Sequence, residues 1–446
     1  MSVALHTSCS GCHVFLLIIG CLLCSSRPFD ASAQAASAEQ ARALLISRLP
    51  DSPEAPEFRV NANSSTTIAP LLPEEMQALI SKGEWESTAR KRLSFVWRYD
   101  DDWEMKSAEA EVAKTDDHGA LVPWPAQRDR FPFRPDIIER TAVGASAAPI
   151  LWNHSISVVR DQYLEAEATV SQYLQAKLER RIQLSIVREF PFSNEGAESK
   201  IVFRERTQLL TPPSIRGLSW LTFRFIGLDE DAVWILSPVT GKVRQVTETN
   251  RGDPMFSGFV AVRDLLGYGG KVERGASTLL GSEEFLVPIG AAEVLSAELL
   301  SDGCYRVRMD QTGHSPAAPR LTSKSTVMVP RRLLAVEVLS TDPFATHARE
   351  VVYFDSSTFL PAYRAVFNQS AELVRFIATA YALASSSDKK FRRAIVTQQL
   401  VWEPASDRVN SISVDRQRLC PPGSTPADRT ALSPRSLVMP QSDAAL

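Results

Sequence analysis

Beyond its first thirty-odd residues the chain carries four histidines, His118, His154, His314 and His347, the side chain best suited to moving protons or ligating a metal near neutral pH. None belongs to a His-Glu-x-x-His pair, and no Gly-x-Ser-x-Gly, phosphate-loop or dinucleotide fingerprint occurs there. Neither a metal nor a cofactor is expected. Each histidine reads first as a hydrogen-bonded structural residue. His154 and His347 stand at opposite ends of the β-rich region, so a shared site would need the fold to bring them together. An enzyme acting on envelope lipid or glycan would need paired carboxylates in a cleft, and no motif marks such a pair.

Gly267-Tyr-Gly-Gly-Lys271 has the composition of a phosphate loop, but Val272 follows Lys271 where Ser or Thr is required. A tight turn or bulge accounts for the glycines instead. Arg251-Gly252-Asp253 reads as a turn. Arg216, Arg224, Arg244 and Arg263 are spread among strand-like segments, where pairing with Asp253 or Asp264 is preferred over meeting an anionic head group. Asp100-Asp101-Asp102 lacks calcium-loop spacing and reads as a solvated loop.

The segments that position these residues follow an export leader. Val14 to Cys24 is an apolar core, and Ala31-Ser32-Ala33 before Gln34 fits the small-residue cleavage rule. Residues 1–33 are therefore expected to be a signal peptide, although no Lys or Arg precedes the core. Ile18-Ile19-Gly20-Cys21 offers an alternative, a lipobox with a lipid anchor at Cys21. Cleavage after Ala33 is preferred because Leu22-Leu23-Cys24 continues the apolar core. Cys9, Cys12, Cys21 and Cys24 fall inside this leader and are not read as a zinc ribbon. Cys304 and Cys420 remain, and they allow either a disulfide or two buried thiols.

Composition, with 44% hydrophobic residues, 23% charged residues and a net charge of −3, leaves ample material for a core. No basic field points to nucleic acid, and no transmembrane run follows the leader. Residues 34–146 read as an irregular, Pro-rich segment with short helices, such as one over Pro73 to Lys82. Asp161 to Arg181 is ambiguous: Tyr163, Ala166, Val170, Tyr173 and Leu174 fit a helical stripe, while Arg181 to Arg188 alternates as a strand.

Further on, Val233 to Leu236 with Lys242 to Thr247, and Val351 to Phe354 with Ala362 to Phe367, read as hairpins of a large antiparallel sheet. Apolar residues on both sides of Val233 to Leu236 predict cover on both faces, as in a curled sheet. Residues 147–420 form this expected β domain, and 421–446 an aperiodic tail expected to be disordered.

Trp152-Asn153-His154, Pro212-Pro213-Ser-Ile-Arg216-Gly217, Trp234 with Pro238 and Arg244, Gly252-Asp253, Asp264-Leu-Leu-Gly267-Tyr-Gly-Gly-Lys271, and His347 with Tyr353 and Asp355 carry a resemblance. In these the chain resembles Gram-negative exported proteins usually described as outer membrane lipoprotein-sorting proteins and similar to Lol-type carriers. The match runs from about residue 147 to 420. Lys242-Val243-Arg244-Gln245 departs from the Arg-Arg-Val-Arg run usual at that hairpin.

The resemblance implies a mainly β, α+β fold: an incomplete antiparallel barrel with helices over its open face, enclosing an apolar cavity. It also implies a periplasmic location, with outer-membrane association, and partnership with resistance-nodulation-type exporters and outer-membrane proteins. The leading expectation is a carrier or accessory factor for a lipid, sterol-like molecule or lipidated protein, lined by Phe223, Phe225, Trp234, Leu236, Tyr353 and Phe367. The alternative is an interaction module with a filled interior.

Overall fold

The computed structural model describes residues 31–51, 56–83, 85–93, 113–116, 119–122, 130–175, 177–191, 200–247, 252, 255, 260–291, 293–309, 321–341, 347–425 and 432–437. Residues 1–30, which hold most of the expected leader with Cys21, the Asp100–Asp102 run, His118, Asp253 and His314 lie outside them.

Helices are α1 (Ala31–Ser47), α2 (Ser65–Ile68), α3 (Glu74–Ser81), α4 (Pro135–Glu139) and α5 (Ala148–Val158). Helix α3 matches the expected helix, with Glu74 and Glu75 in its positive first turn and Met76, Leu79 and Ile80 buried along one stripe. Helix α5 carries Pro149 in its first turn and buries Ile150 through His154, Ile156 and Ser157, more than one stripe, so it is internal.

Strands β1 (Phe58–Val60), β2 (Trp85–Ala89), β3 (Lys114–Thr115) and β4 (Leu121–Val122) precede α5. After it come β5 (Tyr163–Leu174), β6 (Lys177–Glu189), β7 (Ile201–Thr211), β8 (Ser219–Phe225), β9 (Ala232–Ser237) and β10 (Lys242–Val246). The remainder are β11 (Gly275–Ile289), β12 (Leu295–Leu299), β13 (Tyr305–Arg308), β14 (Leu321–Ser340), β15 (Arg349–Asp355), β16 (Pro361–Phe367), β17 (Leu373–Ser385), β18 (Arg392–Glu403) and β19 (Arg408–Cys420).

Among the described residues, all but β3 and β4 belong to one 17-stranded sheet. Strands β5 to β10 form one antiparallel meander and β14 to β19 another, joined where β19 pairs with β5. Strand β11 pairs with β14, while β2 runs parallel to β14 and carries β1. The sheet stays open: at its far end β10 pairs with β9 alone among the described residues. Lys242, Arg244 and Gln245 are exposed on that edge, which discourages further pairing. The mainly β architecture and both expected hairpins, β9–β10 and β15–β16, are present.

The ambiguous stretch after Asp161 is strand, not helix. Ala166 and Val170 satisfy helical and strand spacing alike, but Ala168 is buried between half-buried Glu167 and Thr169, a period of two. Pairing with β19 on one side and β6 on the other then settles the conformation.

The sheet is not hollow. Leu71, Met76, Leu79 and Ile80, then Phe131, Phe133 and Ile138, then Ile150, Leu151, Trp152 and Ile156 share one apolar core with Leu334, Val352, Phe354, Tyr363 and Phe376. The segment before the sheet and helix α5 thus fill the space expected for cargo. The tail also departs from expectation. Leu432 and Leu437 are buried against Leu221, Phe223, Trp234, Leu236 and Val243. Strand β9 is covered from both sides, Ile235 by the main core and Trp234 and Leu236 by that tail segment, though only Val233 is fully buried.

Candidate functional site

A cleft opens between α5, strands β6 to β8 and the connection from Val262 to Glu273. Its walls include Trp152, Ser155, Val158, Val202, Phe203, Phe225, Val262, Tyr268 and Val272. Arg188, Arg224, Arg263, Lys271 and Glu273 complete the lining. The space open to water-sized groups is about 50 Å³. Roughly 10–15 Å³ suffices for one water, so a few small groups fit and an acyl chain does not.

The cations are set rigidly. Arg188 and Arg224 stack over the Phe203 ring at 5.0 and 5.2 Å. Arg188 Nε donates to Glu205 at 2.7 Å, and Arg224 Nε donates to Asp231 at 2.8 Å while its other nitrogens donate to the carbonyls of Gly269 and Gly270. Lys271 donates to the Asp229 carbonyl and lies 3.7 Å from Asp231.

The Gly267–Lys271 connection is therefore a strut between strands, with no phosphate cradle. Tyr268 folds back over Gly270, where a Cβ would clash with its hydroxyl, and Gly267 sits at φ +111. Close approach and left-handed backbone explain these glycines.

Behind the cleft lies a buried ionic cluster. Asp264, fully buried, accepts from Arg364 and, at 2.8 Å, from Arg375. Burial alone would raise its pKa, but the charges of Arg364, Arg375 and Arg263 outweigh that and hold it well below the usual carboxylate range. Glu350 accepts from Arg263 and lies 3.5 Å from Arg364 and 3.3 Å from His347. Its pKa is likewise held down by Arg263 and Arg364 against burial.

The two described histidines reach opposite ends of one short segment. His347 Nε2 accepts from Arg263, whereas His154 Nδ1 and Nε2 lie 3.0 and 3.1 Å from the carbonyl oxygens of Phe359 and Tyr268. Burial pushes both imidazoles down to about 4, helped at His347 by Arg263.

The other motif positions are anchors. Trp152 Nε1 donates to the Gly119 carbonyl at 2.8 Å, and Asn153 bonds both the N–H and the carbonyl of Phe133. Asp355 accepts from Arg331 at 2.6 Å and caps the N–H groups of Ser357 and Thr358. Pro213 and Gly217 shape the turn into β8, and Arg216 and Arg244 are exposed, away from Asp264. Arg224 pairs with Asp231, not with Asp264.

Of the six residues expected to line a cavity, only Phe225 borders the cleft. Phe223, Trp234 and Leu236 lie in the second cluster under Leu432 and Leu437, with the Phe223 and Trp234 rings 5.1 Å apart. Tyr353 packs edge-on against Phe285, and Phe367 lies beneath Arg349. On β8, Leu221 and Phe223 belong to the second cluster, while Arg224 and Phe225 border the cleft.

Glu350, Arg364, Arg375, Arg188 and Phe203 were not legible as site residues. Their one signal is charge inside apolar strands, as in Glu350 before Val351-Val352 and Arg364 between Tyr363 and Ala365, where such residues are almost never buried unless paired.

Cys304 and Cys420 form a disulfide, and both lie in the same cluster as Leu432 and Leu437. No helix among the described residues is long and apolar enough to cross a membrane.

Among solved structures, the chain is similar to a domain from Vibrio parahaemolyticus named for outer membrane lipoprotein sorting, with 12% identity, TM-score 0.44, and 65% of this chain and 97% of that one covered. A DUF1329 protein from Desulfovibrio piger gives 14% identity and TM-score 0.43, covering 63% and 97%. A LolA superfamily protein from Nitrosomonas europaea gives 12% and 0.38, covering 62% and 94%. No curated protein matches. Residues 59–415 match the family described as protein of unknown function, DUF1329, and the chain belongs to that family.

Proposed function

We propose that the protein is an exported periplasmic carrier or accessory factor that shelters the apolar part of a lipid, sterol-like molecule or lipidated protein, with the cleft beside α5 as the cargo entrance. The observation that carries this reading is the cleft itself: a concave, mostly apolar site with a few convergent polar groups, the usual form of a small-ligand site. Its small volume makes this a closed state. Cargo enters only as α5 or the Val262–Glu273 connection moves aside, and closure without cargo keeps apolar surface out of water.

Burying an acyl chain gains about 0.8 kcal/mol per methylene, and a bilayer offers the same. A site that must first be vacated therefore binds no tighter than the membrane and releases its cargo readily. No enzymatic step is proposed: Asp264 and Glu350 are both held ionised by arginines, and among the residues lining the cleft Glu273 is the single carboxylate, with no second to pair with it.

Mass spectrometry of an organic extract of the purified mature protein, with uptake of a fluorescent fatty acid, tests this. Co-purified lipid and saturable uptake are expected; a clean extract with no uptake would sink the carrier reading.

The filled interior favours a second reading, an interaction module docking to a resistance-nodulation-type exporter or an outer-membrane protein. Crosslinking in cells separates the two, since a module captures such partners while taking up no lipid.

A further inference from the structure

We infer that the cleft selects an amphiphile with an anionic head, a carboxylate or phosphate on an apolar chain, seating the head against Arg188, Arg224, Arg263 and Lys271. This rests on the carrier reading and names its ligand class. The lining presents those four cations and one carboxylate, Glu273. Burial raises the pKa of Glu273, and its Oε1 is already engaged by the Gly227 N–H. The carboxylates that pair with the cations, Glu205, Asp231 and Glu350, are not among the lining residues and lie behind them. The cationic side of each pair therefore faces the ligand.

Stacking on Phe203 fixes Arg188 and Arg224 in place, which lowers the ordering cost of binding. The cluster behind Arg263 also has unmet donors. Arg263 Nε and Arg364 Nη1 are buried without a hydrogen-bond partner. His347 Nε2 accepts from Arg263, which leaves the proton of the neutral ring on Nδ1, and that atom too has no partner. An unmet buried donor has lost its water without gaining a partner, which is unfavourable. An anion drawn toward Arg263 accepts from it with charge assistance, a stronger bond than the one a neutral hydroxyl accepts.

The test uses the mature protein loaded with an uncharged solvatochromic dye, displaced by hexadecyl phosphate or by hexadecanol. Hexadecyl phosphate is expected to act at about tenfold lower concentration, the worth of one charge-assisted hydrogen bond. Added salt and the variant Arg263→Gln should each narrow that gap. The comparison on the unmutated protein stands even if the variant fails to fold.

Equal displacement by both ligands, or preference for the alcohol, overturns the inference and leaves the carrier reading intact. If the dye never binds and neither ligand does, the carrier reading falls and this inference with it. Inorganic phosphate at the same concentration should leave the preference unchanged; if it erases the preference, the site takes free anions and the amphiphile assignment is wrong.

Discussion

His154 Nδ1 lies 3.0 Å from the carbonyl oxygen of Phe359, a contact that joins residues 205 positions apart and fastens α5 to the β15–β16 turn. Its other ring nitrogen lies 3.1 Å from the Tyr268 carbonyl, and because the neutral ring carries one N–H it donates to one of these two carbonyls at a time.

Acid should destabilise the fold at this residue, because burial disfavours the charged ring. The folded pKa is pushed down to about 4, against about 6.5 when unfolded. Between those values the unfolded chain holds a proton that the folded chain does not. Stability is therefore full above about pH 6.5 and falls as pH drops toward 4, by roughly 3 kcal/mol for this residue. His347, lowered for similar reasons, adds to the trend. Urea midpoints across that range measure it, and His154→Gln should flatten the slope. An unchanged slope in the variant would assign the acid sensitivity elsewhere.

Asp264→Asn should destabilise the protein by about 3–5 kcal/mol, because Arg364 and Arg375 would be left as buried cations without their shared carboxylate. The depressed carboxylate pKa also makes its contribution present above about pH 4 and lost below it. Denaturant unfolding of the variant decides, and a loss under about 1 kcal/mol would mean the cluster is not held by this pairing.

Replacing Cys304 and Cys420 by Ala should cost about 4–5 kcal/mol, since the bond closes a loop across 116 residues. Non-reducing peptide mapping of the purified protein should recover the linked peptides. Free thiols at both positions would contradict the bond.

Ser155→Phe should block the cleft and reduce fatty-acid uptake about tenfold or more, because Ser155 lines it and is only half-buried. Trp234→Ala should leave uptake unchanged, since Trp234 packs beneath Leu432 and Leu437. The reverse pattern would move the cargo site to the tail-covered face.

Much of this fold is legible locally. Pro238 to Gly241 between two alternating runs marks the β9–β10 hairpin, because turn and strand preferences act over a few residues. Strand β5 was not legible, since small residues such as Ala166 suit both periods and only its two neighbouring strands decide. The cleft was not legible either. Alternation says which residues share a face of β8, and not which face turns toward α5.

Local patterns in the sequence establish a β-rich chain with its hairpins and mark the motif positions around residues 152, 264–271 and 347. Those depend on composition and short-range spacing. Tertiary structure alone decided that α5 and the segment before it fill the sheet, that Asp264 gathers Arg364 and Arg375, and that four cations line one cleft. Each joins residues far apart in the chain, and such contacts are fixed by the mutual burial of apolar surface and the pairing of buried charge, neither of which a local pattern records.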